Sequence, residues 1–307
     1  MDNEIMISCL LTVYNRPTVK NTIDSVLNQT YKNFELIIID NCSTDKTVEV
    51  IKSYSDPRIK LYINDSNYGQ VFSLNKGLKL CRGKYIARID ADDLCSPDRF
   101  EKQITQFEEN ENLVIVGSNV NLINTTDNVI GEIKYPESDT EIKKFILLDS
   151  PFAHPSVMIK KEVIDKHNVF YNDKYLISAD YELWSKILKY GAAINIQEPL
   201  VFYRIGTNDS AKHIKLLSQE VNSIKLEMLK DISNKKDHKH FHKICNYECN
   251  NPRSLIWIIP CYINYLKLFK FNNKFKKIIK KNLYYRYFTQ NTDNKVAKLI
   301  IKLRGGI

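Results

Sequence analysis

Long apolar runs are absent from this 307-residue chain. No stretch approaches the roughly 20 apolar residues that a membrane-spanning helix needs, so we expect no such helix. The first apolar segment, residues 5–13, is too short and too close to the start to act as an export signal. The seven cysteines are odd in number and scattered, which favours reduced thiols and a cytoplasmic location over a disulfide framework.

Glycine is scarce, with nine residues, and none lies in the turn directly after the first predicted strand. That strand runs instead into Thr12-Val13-Tyr14-Asn15-Arg16-Pro17. A dehydrogenase would have Gly-x-Gly-x-x-Gly there, because the backbone must come close to a pyrophosphate. A nucleotidyltransferase would usually open with a glycine-rich loop that grips phosphate. Both classes are therefore disfavoured, although a nucleotidyltransferase shares the architecture predicted below and stays an alternative.

Acidic residues are scarce at the C-terminal end, where residues 231–307 carry 17 Lys and Arg against 4 Asp and Glu. The apolar and aromatic segment 255–271, broken by Pro260, leads into a run of lysines. This combination fits a helix lying on an anionic membrane, and equally a helical subdomain with a solvated basic face. No recognised nucleic-acid-binding fold accompanies the lysines, so we expect no nucleic-acid partner.

Strand and helix patterns alternate along the first two-thirds of the chain. The predicted strands are residues 5–12, 35–39, 59–63, 84–89 and 113–120. The predicted helices between them are residues 18–29, 46–54, 71–81 and 97–109. Further on, the patterns predict helices at 140–148, 179–190 and 216–232, and extended segments at 193–196 and 200–204. This order predicts an α/β fold with a mostly parallel central sheet flanked by helices.

Three carboxylates end the predicted strand 84–89 within four positions, as Asp90-Ala91-Asp92-Asp93. Carboxylates this close repel one another unless a cation lies between them. Mg²⁺ and Mn²⁺ take oxygen ligands and commonly bind one or two carboxylates together with substrate phosphates. The run therefore predicts a metal–diphosphate site, and the alternative is an acidic turn before the helix near Pro97.

Other polar residues at strand ends and loops are further candidates. Asp40 ends an apolar strand, where it could accept a hydrogen bond from a base N–H or simply stabilise a turn. Asn67 opens a small, amide-rich loop before a helix, which is also a common turn. Asp180 begins a helix, either as an acid that complements the helix dipole or as a general base. His154 either lines the same cleft or is structural.

The order of these motifs resembles the family 2 glycosyltransferases over roughly residues 4–210. The resemblance rests on the opening strand with its Thr12–Asn15 turn, on Asp40, on Asn67-Tyr68-Gly69, and on the acidic run. It closes with Ala179-Asp180-Tyr181-Glu182-Leu183-Trp184 and with Leu200-Val201-Phe202-Tyr203-Arg204. It implies the GT-A fold, with a catalytic domain at residues 1–212 and a basic helical region at residues 213–307.

The resemblance also implies an inverting transfer of a sugar from a nucleotide-diphosphate donor. Uridine is the preferred base because Asp40 could accept a hydrogen bond from an imide N–H, although thymidine presents the same edge and guanine also has a ring N–H. The acceptor would be a glycan or a lipid-linked glycan in surface-polysaccharide synthesis, at the cytoplasmic face of the membrane. Asp92 would coordinate Mn²⁺ or Mg²⁺, Asp90 would contact the ribose or the metal's water shell, and Asp180 would deprotonate the acceptor. The implied donor-binding residues are Thr12, Tyr14, Asn15, Asp40, Asn67, Arg88, Asp90, Ala91 and Asp92. The implied cleft residues are His154, Trp184 and Arg204.

Two positions depart from many members of that family. Ala179 replaces a Glu that often precedes the base, which leaves the assignment of Asp180 unchanged. Gly206 stands where many relatives have a His that can contact the metal. We therefore expect a lower affinity for the metal, or a metal that keeps more water ligands. A non-catalytic protein on the same fold is the remaining alternative, and the intact Asp92 and Asp180 argue against it.

Overall fold

The computed structural model describes residues 6–146, 149–205 and 211–232. The predictions for the first five residues, for Gly206, and for the basic region after residue 232 lie outside the described residues. The predicted division into domains after residue 212 stays a prediction.

The described residues form a nine-stranded sheet with the order β3-β2-β1-β4-β8-β6-β9-β5, and β7 pairs with β6. The strands are β1 (Ile7–Val13), β2 (Phe34–Asp40), β3 (Ile59–Ile63), β4 (Tyr85–Asp90), β5 (Leu94–Cys95), β6 (Leu113–Ile123), β7 (Val129–Ile133), β8 (Met158–Lys160) and β9 (Ala192–Arg204). The first four strands are parallel neighbours. Because β8 is antiparallel to both β4 and β6, and β9 is parallel to β6, six strands share one direction. The expected mostly parallel sheet is confirmed.

Eight α-helices cover the described part of the sheet or follow it. They are α1 (Val19–Leu27), α2 (Thr47–Lys52), α3 (Gln70–Leu80), α4 (Arg99–Glu109), α5 (Asp139–Phe145), α6 (Lys161–His167), α7 (Ala179–Ile187) and α8 (Ala211–Ile232). A short 3-10 helix spans His154–Ser156. Each predicted helix within these ranges is present, and most are shorter than predicted. No described helix is long and apolar enough to cross a membrane.

The strands β1 and β2 are buried on both faces, since all seven residues of each are buried. On one face, Leu11 and Ile38 belong to a core that includes Ile23 of α1 and Phe100 of α4. On the other face, Leu10 lies against α3, where its side chain fills the space beside Gly77. Near-continuous apolar runs in these strands therefore reflect helices on both sides of the sheet.

The structure corrects the prediction of two separate extended segments at residues 193–196 and 200–204. They form one strand, β9, whose pairing with β6 jumps from Ile196 to Pro199. Gln197 lies in this irregularity, and its carbonyl oxygen accepts a hydrogen bond from Asn119 Nδ2 at 2.8 Å. This side-chain bond joins the two strands where backbone pairing is interrupted, so the strand continues through a position that the sequence pattern marks as a break.

Candidate active site

The carboxyl ends of β1, β2 and β4 lie side by side, as the sequence predicts. Val13 pairs with Asp40, and Thr12 pairs with Asp90. Ligands of open parallel sheets bind at this edge. The fold therefore brings together the opening turn, Asp40 and the acidic run.

The turn after β1 is joined to the turn after β2. The backbone N–H of Asn15 donates to Ser43 Oγ at 2.9 Å, and Asn15 Oδ1 accepts from the Thr44 N–H at 2.8 Å. Asn15 has a φ of 47°, which an Asn side chain tolerates better than most. Thr12 is largely buried, whereas Tyr14 is 46% exposed. These bonds give the two turns one fixed shape beside the ends of the strands.

Asp40 is fully buried at the end of β2. Its Oδ1 accepts a hydrogen bond from the backbone N–H of Ser43 at 2.9 Å, which is the turn-stabilising role. Its Oδ2 is also buried and has no hydrogen-bond partner within the described part of the chain. A buried carboxylate oxygen without a donor is costly. Asp40 therefore holds the turn with one oxygen and keeps a second acceptor free.

Asn67 shapes the loop before α3. Its Oδ1 accepts hydrogen bonds from Asn41 Nδ2 at 2.6 Å and from the Gly69 N–H at 3.0 Å. Gly69 has a φ of 85°, a conformation that glycine adopts without strain. Asn67 thus links this loop to the residue that follows Asp40.

The first two carboxylates of the acidic run, Asp90 and Asp92, are partly accessible to solvent. Side-chain exposures are 27% for Asp90 and 29% for Asp92. Asp90 forms an ion pair with Arg88, and Asp92 lies 3.4 Å from Arg16 Nη1. Partial burial, together with the neighbouring charge of Asp90, raises the pKa of Asp92. An additional cation at these carboxylates would relieve their mutual repulsion.

The donor chemistry at this edge fits Mg²⁺ or Mn²⁺. Asp90 and Asp92 supply oxygen ligands, and such ions often bind one or two carboxylates and complete their shell with water and phosphate. Among the residues that the structure describes, no group of three or more His, Cys, Asp or Glu forms a fully protein-built metal site. The pair therefore fits a metal shared with a phosphate-bearing substrate.

Asp93, the third carboxylate of the run, stabilises the loop in which it lies. The sequence motifs did not predict a role for it. It is nearly fully buried, and its Oδ1 accepts a hydrogen bond from the Arg204 N–H at 2.7 Å. Burial and the charge of Asp90 raise its pKa well above the usual value. Its position in the acidic run is the sequence feature that could have identified it as part of the site.

Arg204, which is predicted to line the cleft, anchors the acidic loop. Its Nε donates to the carbonyl oxygen of Asp92 at 2.8 Å. Its other nitrogens donate to the carbonyl oxygen of Asn124 and to Asp127. The guanidinium thus holds the loop between β4 and β5 to the turn between β6 and β7. The Ala91 side chain in this loop is also largely buried, so any ligand contact there would use its backbone.

Arg88 carries a buried positive charge beneath the site. Its side chain is 2% exposed and pairs with Asp90. Its nitrogens make no hydrogen bond of good geometry with the described residues. Its positive charge adds to the effect of burial in lowering the pKa of His154, and it counteracts the rise in the pKa of Asp180. Arg88 therefore lies near the acidic run after β4 and near two residues from later in the chain, His154 and Asp180.

Asp180 lies in the first turn of α7, partly exposed, and faces the same region. Burial raises its pKa to about 6, and the charge of Asp90 adds to the rise. Arg88 and the backbone N–H of Tyr181 act in the opposite direction. A carboxylate with this pKa is ionised at neutral pH yet basic enough to take a proton, as a general base requires.

His154 is paired with a tyrosine. Its Nε2 lies 2.8 Å from the Tyr171 hydroxyl, and its ring packs edge-on against Trp184. Burial and the charge of Arg88 lower its pKa well below the usual value, so the ring is neutral. Trp184 is fully buried and packs against the His154 ring, which corrects its expected place in the wall of the cleft.

Tyr203 is a further residue that the motif reading did not select. Burial raises the pKa of its hydroxyl, and the charges of Asp90, Asp93 and Asp180 act in the same direction. The hydroxyl therefore lies close enough to these carboxylates for their charges to affect it. Its place directly before Arg204 in the quoted Tyr-Arg pair was the signal that could have identified it.

Comparison with known proteins agrees with this geometry. The sequence model of the family described as glycosyl transferase family 2 matches residues 8–167. The O-antigen biosynthesis glycosyltransferase WbnJ of Escherichia coli is 38% identical over 67% of this chain and 82% of its own length. An uncharacterised glycosyltransferase of Methanocaldococcus jannaschii is 37% identical over 67% of this chain and 72% of its own length. The chain belongs to glycosyl transferase family 2.

A further relative and two solved structures extend the comparison. The UDP-Glc:alpha-D-GlcNAc-diphosphoundecaprenol beta-1,3-glucosyltransferase WfgD of Escherichia coli is 30% identical over 61% of this chain and 71% of its own length. S. aureus TarS residues 1–349 superpose with a TM-score of 0.62 at 15% identity, over 86% of this chain and 80% of that one. The mannosyltransferase PcManGT of Pyrobaculum calidifontis gives 0.59 at 14% identity, over 97% and 86%. These structures confirm the expected GT-A-like fold.

Proposed function

We propose that this glycosyltransferase transfers a sugar, with inversion, from a nucleotide-diphosphate donor to a glycan or lipid-linked glycan in surface-polysaccharide synthesis. The observation that carries the proposal is the edge of the sheet where Asp40 and the acidic run lie at the ends of neighbouring parallel strands. Asp180 on α7 lies near enough to this edge for the charge of Asp90 to contribute to its raised pKa. This arrangement supports one cleft in which a base faces a carboxylate pair suited to a metal–diphosphate.

The nucleoside would bind at the joined turns after β1 and β2. Asp40 Oδ2 is a free acceptor that suits an imide or ring N–H, which supports uridine as the preferred base. Thymine presents the same edge, and guanine also has a ring N–H. Solved relatives carry UDP and UDP-GlcNAc in TarS and GDP-Man with Mn²⁺ in PcManGT. A UDP-sugar is therefore our first choice of donor.

Asp92, with Asp90, would hold Mn²⁺ or Mg²⁺ against the diphosphate. When bound, the metal stabilises the negative charge that the diphosphate gains as it leaves. Arg16 lies near Asp92, and its positive charge can support the same phosphates. Arg88, whose side chain is buried, would keep Asp90 oriented through their ion pair.

Asp180 would take the proton from the attacking acceptor hydroxyl. The acceptor oxygen then forms a bond to the anomeric carbon as the bond from that carbon to the diphosphate oxygen breaks. Attack from the face opposite the leaving group inverts the configuration, as in single displacement at glycosidic carbons. His154, neutral and bonded to Tyr171, and the Tyr203 hydroxyl are polar groups available for orienting sugar hydroxyls beside this base.

The acceptor class is proposed from relatives and from charge. WbnJ is named for O-antigen biosynthesis, and WfgD acts on GlcNAc-diphosphoundecaprenol. A basic C-terminal region could bring this chain to the inner face of a membrane, where lipid-linked acceptors lie. The fold and site do not depend on that association.

The direct test is product analysis with a donor panel. The purified chain would be incubated with Mn²⁺, GlcNAc-diphosphoundecaprenol, and UDP-glucose, UDP-GlcNAc or GDP-mannose in turn. We expect nucleoside-diphosphate release with one donor and a glycoside of inverted anomeric configuration by NMR. A product of retained configuration would overturn the inverting mechanism. Release of pyrophosphate from a nucleoside triphosphate and a sugar phosphate would instead support a nucleotidyltransferase.

A further inference from the structure

The segment that leads into Asp180 contains backbone groups that its own helix does not satisfy. Residues 176–178 precede α7, so their N–H groups lie outside its hydrogen-bonding ladder. Ser178 is the N-cap residue, but its hydroxyl makes no capping hydrogen bond. The sequence thus places the proposed base just after a stretch that needs acceptors from elsewhere.

The Glu220 carboxylate of α8 accepts hydrogen bonds from all three of these N–H groups. Its Oε1 accepts from the Leu176 N–H at 2.8 Å. Its Oε2 accepts from the N–H groups of Ile177 and Ser178, each at 2.9 Å. The Glu220 residue is only 6% exposed. Hydrogen bonds to a buried carboxylate are stronger than those between neutral groups, and three of them fix three consecutive backbone positions.

Weaker contacts accompany this interaction on the same face of α8. The Tyr175 hydroxyl lies 3.3 Å from Ser223 Oγ, and Lys174 Nζ lies 3.1 Å from Glu227 Oε1. The Lys174 and Glu227 side chains are about half exposed, so their ion pair contributes little. Among the polar contacts of this segment with α8, those of Glu220 are therefore the strongest.

We propose that Glu220 is a positioning residue that sets the place and the depth of Asp180. This inference rests on the proposed function, in which Asp180 is the base. Asp180 follows the bound stretch by two residues, and its raised pKa depends on how deeply its carboxyl is buried. Without the three hydrogen bonds, the first turn of α7 opens towards solvent. The Asp180 carboxyl then becomes better hydrated, a weaker base, and misplaced for the acceptor.

Hydrogen–deuterium exchange on the full chain tests the attachment without any need for activity. Glu220→Gln keeps the shape of the side chain but replaces one acceptor oxygen with a donor. We expect the amides of residues 176–178 to exchange at least ten times faster in this variant. Glu227→Gln, on the same helix face, should leave their exchange unchanged. Unchanged exchange in Glu220→Gln would overturn the proposal.

Kinetics test the effect on Asp180. In Glu220→Gln we expect kcat to fall at least tenfold, with the KM of the nucleotide-sugar donor within twofold of the parent. The acidic limb of the kcat profile should move to lower pH by half a unit or more. Glu220→Asp, which keeps the charge, should restore part of kcat, and Glu227→Gln should behave as the parent. A merely structural role would lower the folded fraction without moving the acidic limb, and that result would overturn the proposal.

Failure of the proposed function gives a different pattern. If the parent chain bound no nucleotide and released none from UDP-glucose, UDP-GlcNAc or GDP-mannose, the proposed function would fail while the exchange result stood. If the parent were active but Glu220→Gln kept its kcat and its acidic limb, the positioning role alone would fail.

Discussion

At the scale of single residues, the carboxylates of the acidic run and of α7 have different surroundings. Asp90 and Asp92 are partly exposed, which suits a shared cation. Asp93 is buried and holds the loop through Arg204. Asp180 has a pKa of about 6 because of burial and the nearby charge of Asp90. Because these acids differ in burial and in hydrogen-bond partners, neighbouring carboxylates in one site can serve different purposes.

Asp180→Asn should remove turnover and preserve donor binding. We expect kcat to fall by a factor on the order of 100 to 10,000, the usual contribution of a general base. In the parent chain, kcat should decline below about pH 6 as the Asp180 carboxyl is protonated. Release of nucleoside diphosphate across pH 5 to 9 measures both. Asp173→Asn, an exposed acid on the preceding loop, is the control. Normal turnover by Asp180→Asn would remove Asp180 as the base.

The same substitution should stabilise the fold at neutral pH. The pKa of Asp180 is raised in the folded chain, so folding favours the protonated form. Its contribution to stability is greatest below the unfolded-state pKa and declines as pH rises through about 6. Asp180→Asn should therefore raise the free energy of unfolding at pH 7.5 by roughly 1 to 3 kcal/mol. Urea unfolding at pH 7.5 and at pH 4 tests this, since the gain should be smaller at pH 4.

Asp92→Asn should abolish metal-dependent binding of the donor nucleotide. Loss of one of two oxygen ligands weakens a hard-cation site and leaves the phosphates with less positive charge. Asp165→Asn, in an exposed ion pair on α6, is the matched control and should bind as the parent does. Unchanged metal-dependent binding in Asp92→Asn would contradict the metal assignment.

At the scale of elements, local pattern identified the parts whose signal is local. β1 to β4 and α1 to α4 follow from apolar runs and helical spacing, and the polar ends of three parallel strands predicted one edge. β5, β7, β8 and α6 were not predicted. Of these, β5 (Leu94–Cys95) and β8 (Met158–Lys160) are too short to show a period. They are strands only through pairing with distant partners. The roles of Trp184 and Arg204 escaped prediction for the same reason, since burial and long-range bonds decide them.

Gly83→Ala should destabilise the pairing of β1 with β4. A Cβ at Gly83 would lie 2.5 Å from the backbone nitrogen of Ser8 and 2.6 Å from the backbone carbon of Ile7. Backbone cannot move aside as a side chain can, so we expect a loss of about 1 to 3 kcal/mol in the free energy of unfolding. Gly131→Ala, whose Cβ would meet Leu122 at an ordinary 3.5 Å, is the control. Equal stability of the two variants would contradict the close approach.

At the scale of the whole molecule, charge is divided between two parts of the sequence. Residues 1–230 carry 28 Lys and Arg against 32 Asp and Glu, whereas the remaining 77 residues carry the large basic excess. Membrane attraction of a basic segment grows by about 1 kcal/mol for each Lys or Arg near an anionic surface. An association of this kind would bring a glycosyltransferase to lipid-linked acceptors.

Replacing a run of lysines by glutamine should weaken binding of the full chain to vesicles that contain a third phosphatidylserine. The substituted positions are Lys274, Lys276, Lys277, Lys280 and Lys281. We expect the parent to sediment with these vesicles at low salt and to be released as salt increases, because surface charges are screened. Vesicles of phosphatidylcholine alone are the control. Equal sedimentation of parent and variant would favour a C-terminal region that packs on protein.

The most direct test of the central claim is calorimetric titration of the full chain with UDP, first with Mn²⁺ and then with EDTA. GDP and dTDP serve as comparison nucleotides. We predict stoichiometric binding of UDP that requires the metal and is lost in Asp92→Asn. Absence of binding by all three nucleotides to the folded chain in the presence of Mn²⁺ would contradict a donor site formed by Asp40, Asp90 and Asp92.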